Sequence, residues 1–370
     1  MRIQSLKLHA FRNYESAEFR PDPGITVLCG QNAQGKTNLL EAIHLCCLGR
    51  SHRTVHDREM IRWEQPQARV RIETQRRDGT HDVVIALSRQ DPRGKLVRVG
   101  GSPVSRIGEL MGHVTCVLFS PEDLRLVKEG PGERRRFLDM ALSQLRPAYF
   151  YALQRYVRTL SQRNGLLKTL AAQPNGTLRA SLNAWDDLLV SAAAELMEHR
   201  VRFLERLSIA AQSAHGCLSG DRERLTLRYV STFAQADAPR AALAETLKAC
   251  RETDERMRTT TVGPHREDIE LHLDGKPLRL YGSQGQQRTA ALSLKLAVLS
   301  VMREEMQEAP VLLLDDVMSE LDPSRRRRLL GLMADVQTVV TCTDAGDLGG
   351  ADYGALYRIE SGSLMREGEP

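Results

Sequence analysis

One octapeptide restricts the architecture of this chain more than anything else in it. Residues 30–37 read GQNAQGKT, a G-x-x-x-x-G-K-[ST] pattern, with the aliphatic run GITVLCG (24–30) before it and TNLLEAIHLCCLG (37–49) after it. A glycine-rich turn from strand to helix aims backbone N–H groups inward, and the helix N-terminus adds a dipole that favours an anion. The turn works only between a buried strand and a helix, which predicts an α/β fold. The expected phosphate loop is Gly30, Gln31, Asn32, Ala33, Gln34, Gly35, Lys36 and Thr37. Lys36 would bridge the outer phosphates, and the Thr37 hydroxyl would ligate Mg²⁺.

A second segment supplies carboxylates. PVLLLDDVMSELD (310–322) has four aliphatic residues ending in Asp315 and Asp316, the pattern of a buried parallel strand that delivers acids to its C-terminal edge. Asp315 is the expected Mg²⁺ ligand, and Asp316 would orient or deprotonate an attacking water. An Asp-Asp pair can also simply open a turn; the upstream loop argues for the metal reading. No NKxD-like guanine reader is present, so ATP is favoured over GTP. A third segment, YGSQGQQRTAALSLKLA (281–297), places Ser283, Gly285 and Gln286 in a loop that has no lysine, ahead of an amphipathic helix. It reads either as a second anion-binding helix N-terminus or as a turn that only starts the helix.

The texture along the chain alternates. Strands are expected at 24–30, 68–74, 82–88, 95–101 and 113–120, with a turn at DPRGK (91–95). From about Pro131 the pattern becomes helical: Leu153, Tyr156, Val157, Leu160, Leu167 and Leu170 recur at helical spacing. QPNGT (173–177) breaks it, and helices follow at about 178–214 and 240–257. Strand texture returns at 268–282, then helix 286–305 and strands 310–316 and 338–343. The expected organisation is an α/β unit of 1–125 and 259–370 interrupted by a helical insertion, 126–258, whose long helices would span about 35–55 Å.

Net charge is +5 and unevenly placed: residues 1–120 hold 18 basic against 12 acidic side chains. That asymmetry is compatible with nucleic-acid contact. GRSHRTVHDREMIRW (49–63) sets Arg50, Arg53, Arg58 and Arg62 just past the first helix. Other basic clusters are Arg76–Arg77, Arg134–Arg136 and Arg325–Arg328. Without an aromatic-interleaved stripe, phosphate and shape readout of duplex DNA fits better than single-strand stacking. The seven scattered cysteines include no CxxC pair, and there is neither a signal-peptide core nor an apolar run of membrane-spanning length. A cytosolic protein with reduced thiols is expected.

The order phosphate loop, SQGQQ, then the acidic strand is that of ABC-type ATPases, and SELD (319–322) resembles their D-loop, with Ser319 and Asp322. FRNY (11–14), GQNAQGKTNLLEAIHL, GRSHRT (49–54), FSPEDLRLVKEGPGERRRFLD (119–139), TVGPHRED (261–268) and YGSQGQQRTAALSLKLA together resemble the RecF family of bacterial recombination mediators, from end to end. The resemblance implies an ABC-type P-loop ATPase head, lobe I, with an inserted helical lobe II and no long coiled coil. It implies ATP and Mg²⁺ as cofactors, an ATP-dependent homodimer on double-stranded DNA, and slow hydrolysis. It also implies action with RecR, and functionally with RecO, in loading RecA at single-strand gaps during DNA repair and replication. Ser283, Gly285 and Gln286 would then close over the γ-phosphate held by a second copy. Asp316 stands where most ABC ATPases carry Glu, SPEDL offers Glu122 or Asp123 in place of a Q-loop glutamine, and TVVTCTD offers no switch histidine. His265 belongs to a family motif and is read as a hydrogen-bonded structural residue ahead of a catalytic one. An ABC transporter subunit would space its signature about a hundred residues from the loop. Chromosome-maintenance ATPases need hundreds of heptad residues between the halves, and a P-loop kinase has no use for the second phosphate segment.

Overall fold

The computed structural model describes residues 1–173, 175–231, 233, 238–349 and 352–368. The chain packs as two compact units. The first comprises Met1–Leu124, Ala210–Arg224 and Arg288–Pro370, and the second Arg125–Ile209 and Leu225–Gln287. The expected spans of 1–125, 126–258 and 259–370 overlap these units without coinciding. Of the divisions between the units, those after Ile209 and Gln287 lie inside helices Gly176–Ser219 and Gln284–Met306, which a reading by texture keeps whole, and the one after Arg224 immediately precedes strand Leu225–Val230.

The first unit holds two six-stranded sheets. One is antiparallel, in the order Tyr14–Phe19, Arg2–Phe11, Gln67–Arg76, Gly79–Ser88, Lys95–Val99, Ser102–Pro103. Its strands alternate buried and exposed side chains, as in Arg2–Phe11, because only one face is covered. The other sheet runs Ser363–Arg366, Ala355–Glu360, Ile25–Cys29, Thr338–Cys342, Val311–Leu314, Cys116–Phe119, all neighbours parallel except the first pair. VLLL and TVVTC are buried at every position, the signature of strands covered on both faces. This order brings the ends of Ile25–Cys29 and Val311–Leu314 to the same sheet edge with one strand between them. Helix Lys36–Leu48 packs against strands of both sheets, and 11 of its 13 residues are buried, so it lies between layers and shows no single apolar face.

The second unit is largely helical, with Pro131–Leu145, Pro147–Ala172, the first part of Gly176–Ser219, Pro239–Ala249 and Arg251–Met257. It also carries an antiparallel sheet of Lys276–Pro277, Asp268–Leu273 and Leu225–Val230. Helix Gly176–Ser219 has 44 residues, about 66 Å at ~1.5 Å per residue, longer than anticipated because it continues five residues past Ala214. Residues 278–281, expected as strand, form a single helical turn closed by the Gly282 N–H on the Leu278 carbonyl at 3.0 Å. Leu278 is buried beneath that turn. Fully buried Arg163 binds Asp186 at 2.6 Å, Asp254 at 2.7 Å and the Thr260 hydroxyl at 2.8 Å, linking helices distant in sequence.

Candidate functional site

The phosphate loop has the predicted strand–turn–helix setting, and the structure shows why its glycines are required. A Cβ on Gly30 would stand 2.4 Å from the Ile359 carbonyl oxygen, and one on Gly35 would meet Asn13 at 2.7 Å and the Tyr14 hydroxyl at 3.1 Å. Gly35 adopts φ 122° and Ala33 φ 66°, so the chain turns through left-handed conformations that point successive N–H groups inward. Gly35 caps the helix without any side-chain hydrogen bond, and no acidic residue occupies its first turn. An uncapped N-terminus of this kind suits an anion. Lys36 is only 4% exposed and reaches the Gly30 and Gln31 carbonyls at 2.5 and 3.4 Å, placing a buried positive charge at the mouth of the loop.

The FRNY motif braces that loop, a role the sequence did not disclose. Asn13 Nδ2 donates to the Gln34 carbonyl at 2.7 Å, its Oδ1 accepts from Asn38 at 2.8 Å, and Tyr14 donates to the Gly35 carbonyl at 3.0 Å. From the other side, the Gly362 N–H donates to the Gln34 carbonyl at 3.1 Å and the Ser361 N–H to Gln34 Oε1 at 2.6 Å. Arg12 grips fully buried Glu41 on the loop helix at 2.6 and 2.8 Å, and Ser51 donates to the same carboxylate at 2.5 Å. Burial pushes the Glu41 carboxyl up, yet Arg12, Ser51 and Arg53 together bring it below its ordinary value. Ser51 Oγ also accepts from the Arg53 and Thr54 N–H groups, so GRSHRT is a turn tied to the helix it follows.

The acidic strand completes the site. Thr37 Oγ1 donates to Asp315 Oδ1 at 3.0 Å across 278 residues of sequence, and Thr341 Oγ1 donates to the same oxygen at 2.8 Å. The Asp316 N–H donates to Thr341 Oγ1 at 2.9 Å. Asp316 sits at φ 50°, a strained setting of the kind that clusters at functional positions. Burial raises the Asp315 carboxyl; the two threonine hydroxyls oppose the shift, and the charges of Asp316 and Glu122 add to it. A divalent cation would relieve this, and the oxygen set of Thr37 and Asp315 suits a hard ion such as Mg²⁺. A cleft of about 170 Å³ beside the loop is lined by Asn32, Asp316, Ser319, Thr341, Cys342 and Asp347 among others. Thr341 is the site residue the sequence reading missed.

Other expected residues are brought to different uses. Ser319 donates to the Asp316 carbonyl at 3.0 Å, whereas Asp322 caps helix Pro323–Leu332 by accepting from the Ser324 and Arg325 N–H groups, each at 3.0 Å. Asp123 pairs with Lys295 at 2.8 Å, while exposed Glu122 acts on Asp315 through its charge. In the second unit, Ser283 and Gln286 form a reciprocal cap: the Ser283 N–H donates to Gln286 Oε1 at 2.7 Å, and the Gln286 N–H to Ser283 Oγ at 3.3 Å. The serine oxygen accepts here, and its own proton remains a donor by its chemistry. His265 is hydrogen-bonded through both nitrogens, to the Tyr156 hydroxyl at 2.6 Å and the Thr260 carbonyl at 3.0 Å. The carbonyl can only accept, so Nε2 carries the proton and the tyrosine donates to Nδ1. Burial lowers this imidazole below its ordinary value.

The basic clusters divide. Arg134 is paired with Asp268 at 2.7 and 2.8 Å and Arg135 donates to the Glu267 carbonyl at 2.6 Å, leaving Arg136 as the exposed member. Arg76 binds Glu308 at 3.1 Å, and the Arg77 N–H reaches the same carboxylate at 2.5 Å. Arg328 donates to the Leu218 carbonyl at 3.0 Å. Among the favoured arginines, Arg62 donates to the Asn13 carbonyl, and Arg53 bonds Asn38 at 2.7 Å and Glu41 at 3.5 Å. Arg50, Arg53 and Arg58 are exposed.

Comparison with known proteins follows the same outline. A family model described as the RecF/RecN/SMC N terminal domain matches residues 2–361. The chain is 41% identical over 368 residues to the DNA replication and repair protein RecF of Lachnoclostridium phytofermentans, covering 99% of this chain and 100% of that protein. It is 43% identical over 376 residues to the protein of the same description from Symbiobacterium thermophilum, covering 99% and 98%. The fold matches the recombination mediator protein RecF of the RecFOR pathway, solved in a RecF-ATP form, with a TM-score of 0.91, 33% identity, and coverage of 99% and 97%. An Smc head domain with an extended coiled coil from Pyrococcus furiosus shares the fold at a TM-score of 0.58 and 16% identity, over 99% and 95% of the two chains.

Proposed function

The chain belongs to the RecF family, and from that membership we propose that it is an ATP-dependent DNA-binding protein of recombinational repair and replication-gap processing. Its fold is that of an ABC-type ATPase head. The observation that carries the nucleotide reading is the Thr37–Asp315 hydrogen bond, which joins an uncapped phosphate loop to a buried carboxylate 278 residues away. Gly30 to Thr37 wrap the phosphates, Lys36 neutralises their outer oxygens, and Thr37 with Asp315 hold Mg²⁺. When bound, Mg²⁺ supplies charge neutralisation at the phosphate oxygens. Asp316, fixed by Thr341 through its own N–H, positions and deprotonates the attacking water. Its side chain is one methylene shorter than the usual glutamate, which fits slow turnover and a switch more than a metabolic enzyme.

Ser283, Gly285 and Gln286 meet the γ-phosphate of a second copy in this reading. A serine hydroxyl and a helix N-terminus without a fixed charge attract phosphate and leave no competing cation. Duplex DNA is contacted through the exposed Arg50, Arg53 and Arg58, beside the loop helix, so that DNA and nucleotide sense each other. RecR, and functionally RecO and RecA, are the protein partners that family membership supports. No helix among the described residues is long and apolar enough to cross a membrane, in keeping with a cytoplasmic role. Light scattering with ADP, ATP or a slowly hydrolysed analogue, each with and without duplex DNA, tests the proposal. A dimer with ATP and the analogue only, strengthened by DNA and weakened steeply by salt, is expected; a mass independent of nucleotide contradicts it.

A further inference from the structure

Two cysteines meet where the phosphate loop leaves its strand. Cys29 and Cys342 are register partners on the neighbouring parallel strands Ile25–Cys29 and Thr338–Cys342. Both face the cluster of Val27, Leu348 and Leu356: Cys342 is part of it and Cys29 packs against it beside Ile25. Neighbouring strands lie about 4.8 Å apart, within the ~4.4–6.8 Å Cα separation that a disulfide spans. Both thiols are reduced, and the nucleotide chemistry uses neither.

We propose that Cys29 and Cys342 are an oxidation site: a peroxide-class oxidant joins them in a disulfide that disables the nucleotide loop. Cys29 is the more exposed of the two and donates its S–H to the Thr343 carbonyl at 3.2 Å, while Cys342 borders the polar cleft beside Asp316. Burial and the neighbouring Cys29 hold the Cys342 thiol protonated, so Cys29 reacts first. Its thiolate sulfur attacks one peroxide oxygen, the O–O bond breaks, and a sulfenic acid and one water form. The Cys342 sulfur then attacks the sulfenic sulfur, the S–O bond breaks, and its thiol proton leaves with the hydroxyl as a second water. Two thiols lose two electrons and two protons, and the peroxide is reduced to two waters.

The consequence follows from what the two residues adjoin. A disulfide draws the Cβ atoms to about 3.8 Å, closer than strand spacing alone sets them. Cys29 precedes Gly30, which abuts the Ile359 carbonyl and holds Lys36 Nζ at 2.5 Å through its own carbonyl. Cys342 follows Thr341, which holds Asp315 and the Asp316 backbone. With Gly30 already against Ile359, the displacement passes into the phosphate loop and the carboxylate turn.

The test uses the full chain with Cys217→Ser and Cys250→Ser, which remove the two cysteines outside the fully buried set other than Cys29. Reduced protein is treated with hydrogen peroxide, alkylated, and mapped by non-reducing peptide mass spectrometry, with ATP binding measured in parallel. A cross-linked Cys29–Cys342 peptide, loss of ATP binding and its restoration by dithiothreitol are expected. Cys29→Ser should bind ATP like the reduced parent and keep that affinity after peroxide, and Cys342→Ala, whatever its starting affinity, should form no cross-link and show no further loss of binding on peroxide treatment. Absence of the cross-link, a cross-linked protein that still binds ATP normally, or peroxide-induced loss of binding in both variants overturns the proposal. The ATP readout rests on the nucleotide reading, whereas the cross-link does not. A reduced parent that fails to bind ATP therefore counts against that reading, and the peptide map decides the thiol pair.

Discussion

Thr341→Val removes one oxygen and keeps nearly the same shape, so its effect is calculable from two hydrogen bonds. Thr341 is fully buried; it donates to Asp315 Oδ1 at 2.8 Å and accepts from the Asp316 N–H at 2.9 Å. Losing a donor to a carboxylate costs about 1.5–3 kcal/mol, and stranding the Asp316 N–H costs a further ~1–3 kcal/mol. The added methyl returns about 0.8 kcal/mol at most. The net expectation is roughly 2–5 kcal/mol, or a fall in melting midpoint of roughly 4–20 °C for a unit of this size. Thr341→Ser keeps both bonds and loses one methyl, so it should cost only about 1 kcal/mol. The assay is thermal unfolding of both variants alongside steady-state ATPase. Thr341→Val should lose kcat more than KM, because Asp316 is displaced while Gly30–Thr37 stay intact. If Val and Ser variants melt within about 0.5 kcal/mol of one another, the hydroxyl is not what holds the two carboxylates.

Two further substitutions separate the roles of the paired acids. Asp316→Asn tolerates the same left-handed backbone setting and removes the base, so hydrolysis should fall while ATP still binds and the ATP-dependent dimer persists longer; unchanged turnover would assign the water to another group. Asp315→Asn concerns pH: burial raises the folded carboxyl above its ordinary value of 3.8, so the folded chain binds this proton more tightly than the unfolded one. Stability is therefore lost as pH climbs from 3.8 to the folded value and stays lost above it. The variant should flatten that limb, match or exceed wild-type stability at neutral pH without nucleotide, and lose the stabilisation given by ATP with Mg²⁺, all readable from melting curves between pH 4 and 8.

The parts of the site written in consecutive residues were legible, and those written across the chain were not. GQNAQGKT and VLLLDD declare themselves because loop, lysine and acids are neighbours in sequence. Thr341 is invisible by the same logic: its hydroxyl matters only because Thr338–Cys342 lies between the two strands that carry the loop and the acids. The Arg12–Glu41 and Asn13–Gln34 bonds likewise require the antiparallel sheet to be in place. Ser361 and Gly362 both take positive φ, 49° and 81°, as the hairpin joining Ala355–Glu360 to Ser363–Arg366 demands, and SG between alternating residues announces such a turn. The Leu278–Tyr281 turn was misread as strand because its apolar residues alternate, and only burial of Leu278 resolves it. Glycine spacing in SQGQQ spoke for an anion, while the S-x-x-Q cap it also encodes is a local device the same residues serve.

In the proposed dimer, one nucleotide site needs the phosphate loop of one copy and the Ser283 segment of another. Lys36→Ala should abolish tight ATP binding, and Ser283→Arg should bind ATP as a monomer yet neither dimerise nor hydrolyse it. The direct measurement is ATPase activity and mass of the two variants mixed, with each shown folded by circular dichroism. The mixture should regain an ATP-dependent dimer with one working site, built from the intact loop of the Ser283→Arg chain and the intact Ser283 segment of the Lys36→Ala chain. A mixture of folded variants that recovers neither dimer nor hydrolysis contradicts it.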